Sequence, residues 1–491
     1  MSHDTFAATL ALIGLVILVS SLLSGAVERT GLPQVAIFLA LGAMLGPAGL
    51  GLVELSLESE SLQVIATLGL VLVLFSDAIG VDIGELRAQR RLALTILGPG
   101  TLIPALLMSL AAWLLLGLSI PAAAILGAAL ASTDPVLLRT LIRHPVLPSR
   151  ARLALRLESG MNDVILLPIV VLAMLALQHG GGANGAAVGE RVVGLFLLGP
   201  LLGVVVGYLA ITLLDRVRRR VGVRRDYESL YALGVAFTAF AAAEAVGGSG
   251  FLAAFGAGLV IAALDVELCD CFLDYGEASA EMFLLLTFVA FGASLIWSGV
   301  AAADGRTLLF AVVALVIRTA VLLPVLARSG LDRRDRRLIA WFGPRGLSSL
   351  LLVLLPVFAG IEGAERLFAV TCLVVLASVV VHGGGIAWYL RRAARAESAA
   401  APPAAAPAPP VTAADGRHEA GDIPERITLD ELRLLQAGDR SLELLDVRTE
   451  RSYRDDPGKA AGSRRFPPDE AVRLARERRL DPESTLILYC T

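Results

Sequence analysis

The stretch that decides the fold is residues 120–142, which read IPAAAILGAALASTDPVLLRTLI. The run is long and apolar enough to cross a bilayer core about 30 Å thick, which takes roughly 20 residues of helix. Ser132-Thr133-Asp134-Pro135 interrupts it. Pro135 has no N–H for the carbonyl of Ala131 and pushes Asp134 out of helical geometry. The sequence therefore predicts a helix broken near mid-membrane, with free carbonyls beside a carboxylate; a simple proline kink is the alternative.

The composition of the whole chain indicates a polytopic membrane protein with a polar tail. Of its 491 residues, 56% are hydrophobic and 18% are charged, against about 45–50% and roughly 25% in soluble domains. Residues 1–395 carry 28 Lys and Arg with 27 Asp and Glu, whereas residues 396–491 carry 14 and 18. Disorder and a disulfide scaffold are excluded for the long first piece, because its apolar content is high and the chain has only four Cys.

Thirteen apolar segments are predicted to span the membrane. They lie near residues 6–27, 33–50, 62–80, 92–117, 120–142, 153–177, 191–214, 227–246, 250–264, 279–299, 306–327, 336–359 and 366–390. We expect the first of them to be retained rather than cleaved as a signal peptide, since residues 1–5 lack a basic segment.

The arginines of the connecting loops predict the direction of the spans. One set of alternate loops contains 23 Arg and the other contains three. Cytoplasmic loops carry the positive excess, so we expect the N-terminus outside, the tail in the cytoplasm and the protein in the cell membrane. The loop at 265–277 is acidic and holds Cys269 and Cys271. We interpret it as a solvated loop with reduced thiols, with a metal or redox site as the alternative.

The twelfth span contains the motif Gly343-Pro344-Arg345-Gly346, which predicts a second helix break. The fifth and twelfth spans differ by an odd number, so these two helices run in opposite directions through the bilayer. That arrangement is typical of an inverted repeat in which two discontinuous helices cross at the midplane, where transporters place their ion sites. The predicted fold is therefore an all-α polytopic membrane protein of about 13 transmembrane helices, with an inverted repeat and two crossing discontinuous helices.

Charged side chains within the spans mark a candidate site, because each costs at least ~2.5–3.5 kcal/mol in the bilayer core. The sixth span begins Glu158-Ser159-Gly160-Met161-Asn162-Asp163. Ser159 and Asp163 share one helical face, and Glu158 and Asn162 share a neighbouring one. The two carboxylates cannot both remain charged without a counter-ion. Arg318, midway along the eleventh span, is the natural partner for one of them.

Together these motifs carry a family resemblance. Thr133-Asp134-Pro135, followed by Glu158-Ser159-Gly160-x-Asn162-Asp163, resembles the paired signatures of sodium/proton exchangers, in the branch of the monovalent cation/proton antiporters that has Asn-Asp in the second motif. The resemblance extends over residues 6–390. It implies that Asp163 binds the proton and the cation in turn. It also implies that Asp163 and Asp134 are the carboxylate ligands of a monovalent metal ion.

The resemblance assigns roles to the other intramembrane polar residues as well. The Thr133 backbone and Ser159 complete the cation shell, and Asn162 belongs to the same ion-binding cluster, where it holds the unwound segment of the fifth span. Glu158 and Arg318 form a structural ion pair. Arg345 supports the second crossing, where it compensates either freed carbonyls or a helix dipole.

The function predicted from these residues is secondary active antiport. If Glu158 and Arg318 neutralise one another, Asp163 is left as the one unpaired titratable group, and it can hold either a proton or a dehydrated cation. Na⁺ is the expected cation, with K⁺ or Li⁺ as alternatives, and no ATP, redox group or other cofactor is needed. The resemblance implies electroneutral exchange and a homodimer in the lipid bilayer, with no nucleic-acid partner. A cation channel and a membrane-embedded enzyme are the other classes, but a channel does not require two crossing breaks.

Residues 1–392 form the predicted antiporter domain, residues 393–423 are an Ala- and Pro-rich linker, and residues 424–491 form a small cytoplasmic α/β tail. Two strands are predicted at 442–448 and 485–489, with a helix between them. This order resembles part of a rhodanese-like domain, which implies that Cys490 forms a persulfide. Because the sequence stops at Thr491, we expect an incomplete sulfurtransferase; an unrelated α/β tail is the alternative.

Overall fold

The structure is a computed structural model of the chain. It describes residues 34–47, 49–52, 56–81, 83–144, 146–179, 192–221, 225–264, 282–283, 285–400, 442–448, 462–467 and 484–489, with residues 14, 18, 22, 189, 432, 460, 474, 475 and 477. Most of the predicted first span, the acidic loop with Cys269 and Cys271, the linker beyond residue 400 and Cys490 lie outside the described residues. The chain divides into two compact units, Met1–Ala400 and Ala401–Thr491.

The described part of the first unit is built of α-helices. They are α1 (Gln34–Leu45), α2 (Glu60–Ile79), α3 (Ile83–Ala88), α4 (Arg90–Leu97), α5 (Pro99–Leu116), α6 (Ile120–Ala131), α7 (Pro135–Arg143), α8 (Ser149–His179), α9 (Gly199–Arg220), α10 (Arg225–Ala245), α11 (Gly250–Ala263), α12 (285–293), α13 (Ser298–Ala301), α14 (Gly305–Val325), α15 (Arg333–Trp341), α16 (Leu347–Phe358), α17 (Ala364–Ser378) and α18 (Gly384–Ala400). Short π-helical segments, Gly194–Leu198 and Val379–Gly383, precede α9 and α18.

The predicted polytopic fold is confirmed. Among the described residues, seven helical stretches are long and apolar enough to cross a membrane, and four shorter apolar helices accompany them. All eleven coincide with predicted spans. The fourth span differs in detail, because it consists of α4 and α5 and breaks at Gly98, where Pro99 starts a new helix. The eighth and ninth predicted spans are separate helices. α10 ends at Ala245, and Ser249 caps the start of α11 by accepting the N–H of Leu252.

Both predicted helix breaks are present, and they touch each other. α6 ends at Ala131, and the extended backbone at Ser132 and Asp134 leads into α7, whose first residue is Pro135. The second break separates α15 from α16. The N–H of Asp134 donates to the carbonyl of Pro344 over 2.9 Å. The two discontinuous helices therefore cross at their breaks, and this crossing positions the candidate site.

Small residues allow close helix packing elsewhere in the first unit. Gly199, Gly203 and Gly207 recur every fourth residue along α9 and lie against the backbone of α11. A Cβ at Gly203 would collide with the carbonyl of Ala253. Because lipid tails are as apolar as the side chains, such backbone approach is one of the main sources of helix association in a bilayer.

The described residues of the second unit contain a small parallel sheet. Its strands are β1 (Leu442–Asp446), β2 (Arg464–Arg465) and β3 (Thr485–Tyr489), in the order β2-β1-β3. The two strands predicted from sequence are thus confirmed. Arg448 donates to Asp446 over 2.7 Å, and this side-chain hydrogen bond holds the pKa of Asp446 below its usual value. The rhodanese-like assignment and the persulfide role of Cys490 stay predictions.

Candidate ion-binding site

The crossing of the two broken helices lies against α8 and gathers the polar residues singled out from the sequence. All of them are buried, with at most 4% of each residue exposed: Thr133, Asp134, Glu158, Ser159, Asn162, Asp163, Arg318 and Arg345. Buried charges are stable only when they are paired and hydrogen-bonded. The partners of each charged group therefore indicate what that group can do.

Glu158 and Arg318 form a bidentate ion pair. Arg318 Nε donates to Glu158 Oε1 over 2.7 Å, and Nη2 donates to Oε2 over 2.6 Å. The remaining terminal nitrogen, Nη1, donates to the carbonyl of Ala340 at the end of α15 over 2.7 Å. A Cβ at Gly343 would collide with the guanidinium, so glycine lets the second break pass beside it. The pair ties α8, α14 and α15 together and leaves no net charge between its members.

Arg345 lies in the second break and reaches the end of α6. Its Nη1 donates to the carbonyls of Ala131 and Ser132 over 3.0 and 2.9 Å. These carbonyls lie at the C-terminal end of the helix that Pro135 interrupts. The guanidinium satisfies them and also places positive charge at the negative end of the α6 dipole. The two alternatives considered for Arg345 thus describe the same contact.

Asp134 caps two half-helices at once. Its Oδ1 accepts the N–H of Val136 in α7 over 3.0 Å, and its Oδ2 accepts the N–H of Leu347, the first residue of α16, over 3.3 Å. A Cβ at Gly346 would collide with this carboxylate. An anion is favoured at a helix N-terminus, and here one carboxylate serves two. Each oxygen still has lone-pair capacity for a further ligand.

Asp163 differs from the other charged groups of the site, because its carboxylate has hydroxyl partners but neither a charged nor a backbone partner among the described residues. Its Oδ1 accepts the hydroxyl of Ser132 at the end of α6. The Ser348 side chain in the first turn of α16 also hydrogen-bonds it. Neutral donors stabilise a carboxylate without neutralising it. Asp163 is therefore a buried acid for which the described residues provide no salt-bridge partner.

The structure also places the remaining three predicted residues, Thr133, Ser159 and Asn162, at the crossing. The Thr133 hydroxyl donates to Glu158 Oε1 over 3.1 Å. The Ser159 hydroxyl donates within its own helix to the carbonyl of Arg156 over 3.4 Å. The amide nitrogen and oxygen of Asn162 are buried and have no hydrogen-bond partner among the described residues. The role of Asn162 in holding the unwound segment stays a prediction.

Sequence reasoning missed the serines around the site. Ser132 opens the interrupting motif, and Ser348-Ser349 stand as a polar pair in the otherwise apolar α16; both patterns were available as signals. Ser378 was missed because it lies on α17, where its hydroxyl accepts the N–H of Arg345 over 2.7 Å and contacts Nδ1 of the buried His382 at 3.0 Å.

Ser378→Ala is expected to lower the free energy of unfolding by about 1–3 kcal/mol, because the buried N–H of Arg345 loses its acceptor. Thermal unfolding of the purified protein in detergent measures the effect. Thr212→Ala is the matched control, since the exposed Thr212 hydroxyl donates to the Tyr208 carbonyl of its own helix. Equal melting temperatures for the two variants would contradict the prediction.

The known proteins that this chain resembles are cation/proton antiporters. Residues 15–392 match the family described as the transmembrane sodium/hydrogen exchangers. The chain is 27% identical over 380 residues to a K⁺/H⁺ antiporter NhaP2 of Shewanella oneidensis, covering 75% of this chain and 64% of that protein. It is 27% identical over 334 residues to a Na⁺/H⁺ antiporter NhaG of Bacillus atrophaeus, covering 65% and 62%. The chain thus spans a little under two thirds of the length of these relatives.

A solved structure shares the fold. The sodium proton antiporter MjNhaP1 from Methanocaldococcus jannaschii, determined at pH 8, aligns with a TM-score of 0.62 at 20% identity, covering 77% of this chain and 99% of that chain. The structural alignment includes almost the whole of that protein, so the similarity extends over its entire membrane fold.

Proposed function

The chain belongs to the transmembrane sodium/hydrogen exchanger family, and on that premise we propose that it exchanges a monovalent cation for protons across the membrane by alternating access. The observation that carries the proposal is the environment of Asp163. Its carboxylate is buried at the crossing of two broken helices and has hydroxyl partners, whereas the other charged groups of the crossing have charged or backbone partners.

The partners of the other charged groups support Asp163 as the one position where a proton and a cation exchange. Glu158 is matched by Arg318, Arg345 is engaged by carbonyls, and Asp134 caps two helices. A proton and a cation compete for the same Asp163 oxygens, because each neutralises the one negative charge. Exchange follows when the site opens to one side of the membrane at a time. One proton then replaces one monovalent cation, and the cycle is electroneutral.

The proposed cation site is made of oxygen atoms, which suit hard metal ions. Asp163 and Asp134 supply carboxylate oxygens, and the Thr133 carbonyl and the Ser159 hydroxyl complete the shell. The Asn162 amide, which has no hydrogen-bond partner in the described chain, adjoins the site in sequence. We propose Na⁺ as the cation. K⁺ is the second candidate, because similar proteins named K⁺/H⁺ antiporters align with about three quarters of this chain.

We further propose that the protein lies in the cell membrane as a homodimer, with the N-terminus outside and the tail in the cytoplasm. The loop arginines, 23 against three, support this direction. The homodimer follows from the family resemblance. Residues 393–423 would act as a linker and 424–491 as a partial rhodanese-like segment.

The proposal is tested with purified full-length protein in proteoliposomes that contain a pH-sensitive dye. Na⁺, Li⁺ and K⁺ gradients are applied in turn, with the membrane potential free or collapsed. We expect an imposed cation gradient to drive proton flux in the opposite direction, at a rate that does not change when the potential is collapsed. Protein-free liposomes are the control. Cation flux without coupled proton movement would replace the antiporter by a channel, and no flux with any cation would overturn the proposal.

A further inference from the structure

Two serine hydroxyls, one from each broken helix, meet at the Asp163 carboxylate. Ser132 is the residue at which α6 ends, and its hydroxyl donates to Asp163 Oδ1. Ser348 lies in the first turn of α16, and its side chain hydrogen-bonds the same carboxylate. Both serines are buried, with 0% and 4% exposed. Asp163 itself is on α8, so this contact joins three helices at one functional group.

A hydroxyl is suited to a carboxylate that changes its occupant. It has one proton and two lone pairs, and it rotates freely about the Cβ–Oγ bond. Beside an empty carboxylate it donates the proton. Beside a carboxylate that holds a cation, the same oxygen can rotate its proton away and coordinate the ion. The change requires no movement of the helix backbone, because only the hydrogen is redirected.

A dehydrated cation also needs more oxygen ligands than one carboxylate provides. Water that is removed from the ion must be replaced by protein oxygens at similar distances, as in other sites for hard cations. Ser132 and Ser348 are already within hydrogen-bond reach of the carboxylate, and therefore within reach of an ion bound to it. The unpartnered amide of Asn162, the residue before Asp163, is a second sign that this turn of α8 is completed by a ligand.

We propose that Ser132 and Ser348 are specificity-determining ligands: they donate to the empty Asp163 carboxylate and coordinate the bound cation through their hydroxyl oxygens. This inference rests on the proposed antiport and adds ligands to its cation shell. Because the two hydroxyls come from different broken helices, the separation of α6 and α16 sets the size of the cavity around the ion. Substitution of either serine should therefore change the affinity for cations of different radius by different amounts.

The test compares Ser132→Ala and Ser348→Ala with wild type in proteoliposomes, with the apparent KM and maximal rate measured for Na⁺, Li⁺ and K⁺. Each substitution is expected to raise the KM for the transported cation about tenfold, the equivalent of one lost polar contact. It should also change the ratio of the KM values among the three cations. Ser348→Thr, which keeps a hydroxyl, should restore the wild-type ratio.

Ser349→Ala is the matched control. Ser349 follows Ser348 on α16 and is fully buried, but its hydroxyl has no hydrogen-bond partner among the described residues. We expect its KM values to equal those of wild type. As a readout independent of transport, the cation-dependent rise in melting temperature of each purified variant measures binding directly.

The possible outcomes separate this inference from the antiport on which it rests. Unchanged KM ratios in both alanine variants would overturn the serine assignment, while wild-type exchange that requires Asp163 would leave the antiport standing. A loss of maximal rate with an unchanged KM ratio would show a structural role only. An equal change in Ser349→Ala would likewise overturn the assignment, because that hydroxyl does not contact Asp163. Absence of any exchange in wild type would instead remove the antiport.

Discussion

Asp163→Asn is expected to reduce cation-driven proton flux in proteoliposomes to the level of protein-free liposomes. Asparagine has nearly the same shape as aspartate and can still accept the Ser132 hydroxyl, so the crossing should keep its geometry. It carries no negative charge and neither binds nor releases a proton at physiological pH. The variant therefore loses both occupants of the site at once, whereas a general defect in folding would also lower the melting temperature.

The matched control for this substitution is Asp215→Asn. Asp215 is on α9, where it pairs with Arg219 one turn further along the helix, and its side chain is 39% exposed. It undergoes the same chemical change outside the crossing, and we expect its flux to equal that of wild type. If flux in Asp163→Asn persisted with its dependence on cation concentration, Asp163 would not be the shared proton and cation site.

The broken helices could be predicted from sequence because their causes are local. Pro135 removes one hydrogen bond from its own helix, and Gly343-Pro344-Arg345-Gly346 does the same in the twelfth span, wherever the rest of the chain lies. A simple rule also predicted that Arg318 pairs with one of the two carboxylates of the sixth span, since a buried carboxylate needs a counter-ion. The choice of Glu158 came from the family resemblance, and the structure shows this pair.

The finer contacts of the site could not be predicted, because each depends on how segments far apart in sequence meet. The second cap made by Asp134 requires the N–H of Leu347, which lies 213 residues away. Ser132 and Ser348 have an identifiable function only once both breaks face α8. The carbonyls at the end of α6 accept hydrogen bonds from Arg345, which lies at least 213 residues away in the second break. Motif spacing does not show which of two polar groups will reach a shared partner.

The second large effect is expected from the ion pair of Glu158 and Arg318. Arg318→Met should lower the free energy of unfolding by about 3–5 kcal/mol, because it leaves the Glu158 carboxylate buried without its counter-ion. Chemical or thermal unfolding in detergent measures the loss. The control is Arg219→Met, which breaks the exposed pair with Asp215 and should cost only about 0.3–0.5 kcal/mol. Equal losses in the two variants would contradict a stabilising role for the buried pair.

The double variant Arg318→Met/Glu158→Gln separates structure from transport. The glutamine side chain would still accept the Thr133 hydroxyl, as Glu158 does, and no uncompensated charge would remain in the pair. Replacing both members of a buried pair by neutral groups is often nearly neutral for stability, so we expect the double variant to recover most of the stability that Arg318→Met loses. Since Asp163 is unchanged, the double variant should also exchange cations for protons, whereas Asp163→Asn should not. A stable double variant without exchange would mean that the charges of Glu158 and Arg318 take part in transport, and that Asp163 is not the only group that binds the proton or the cation.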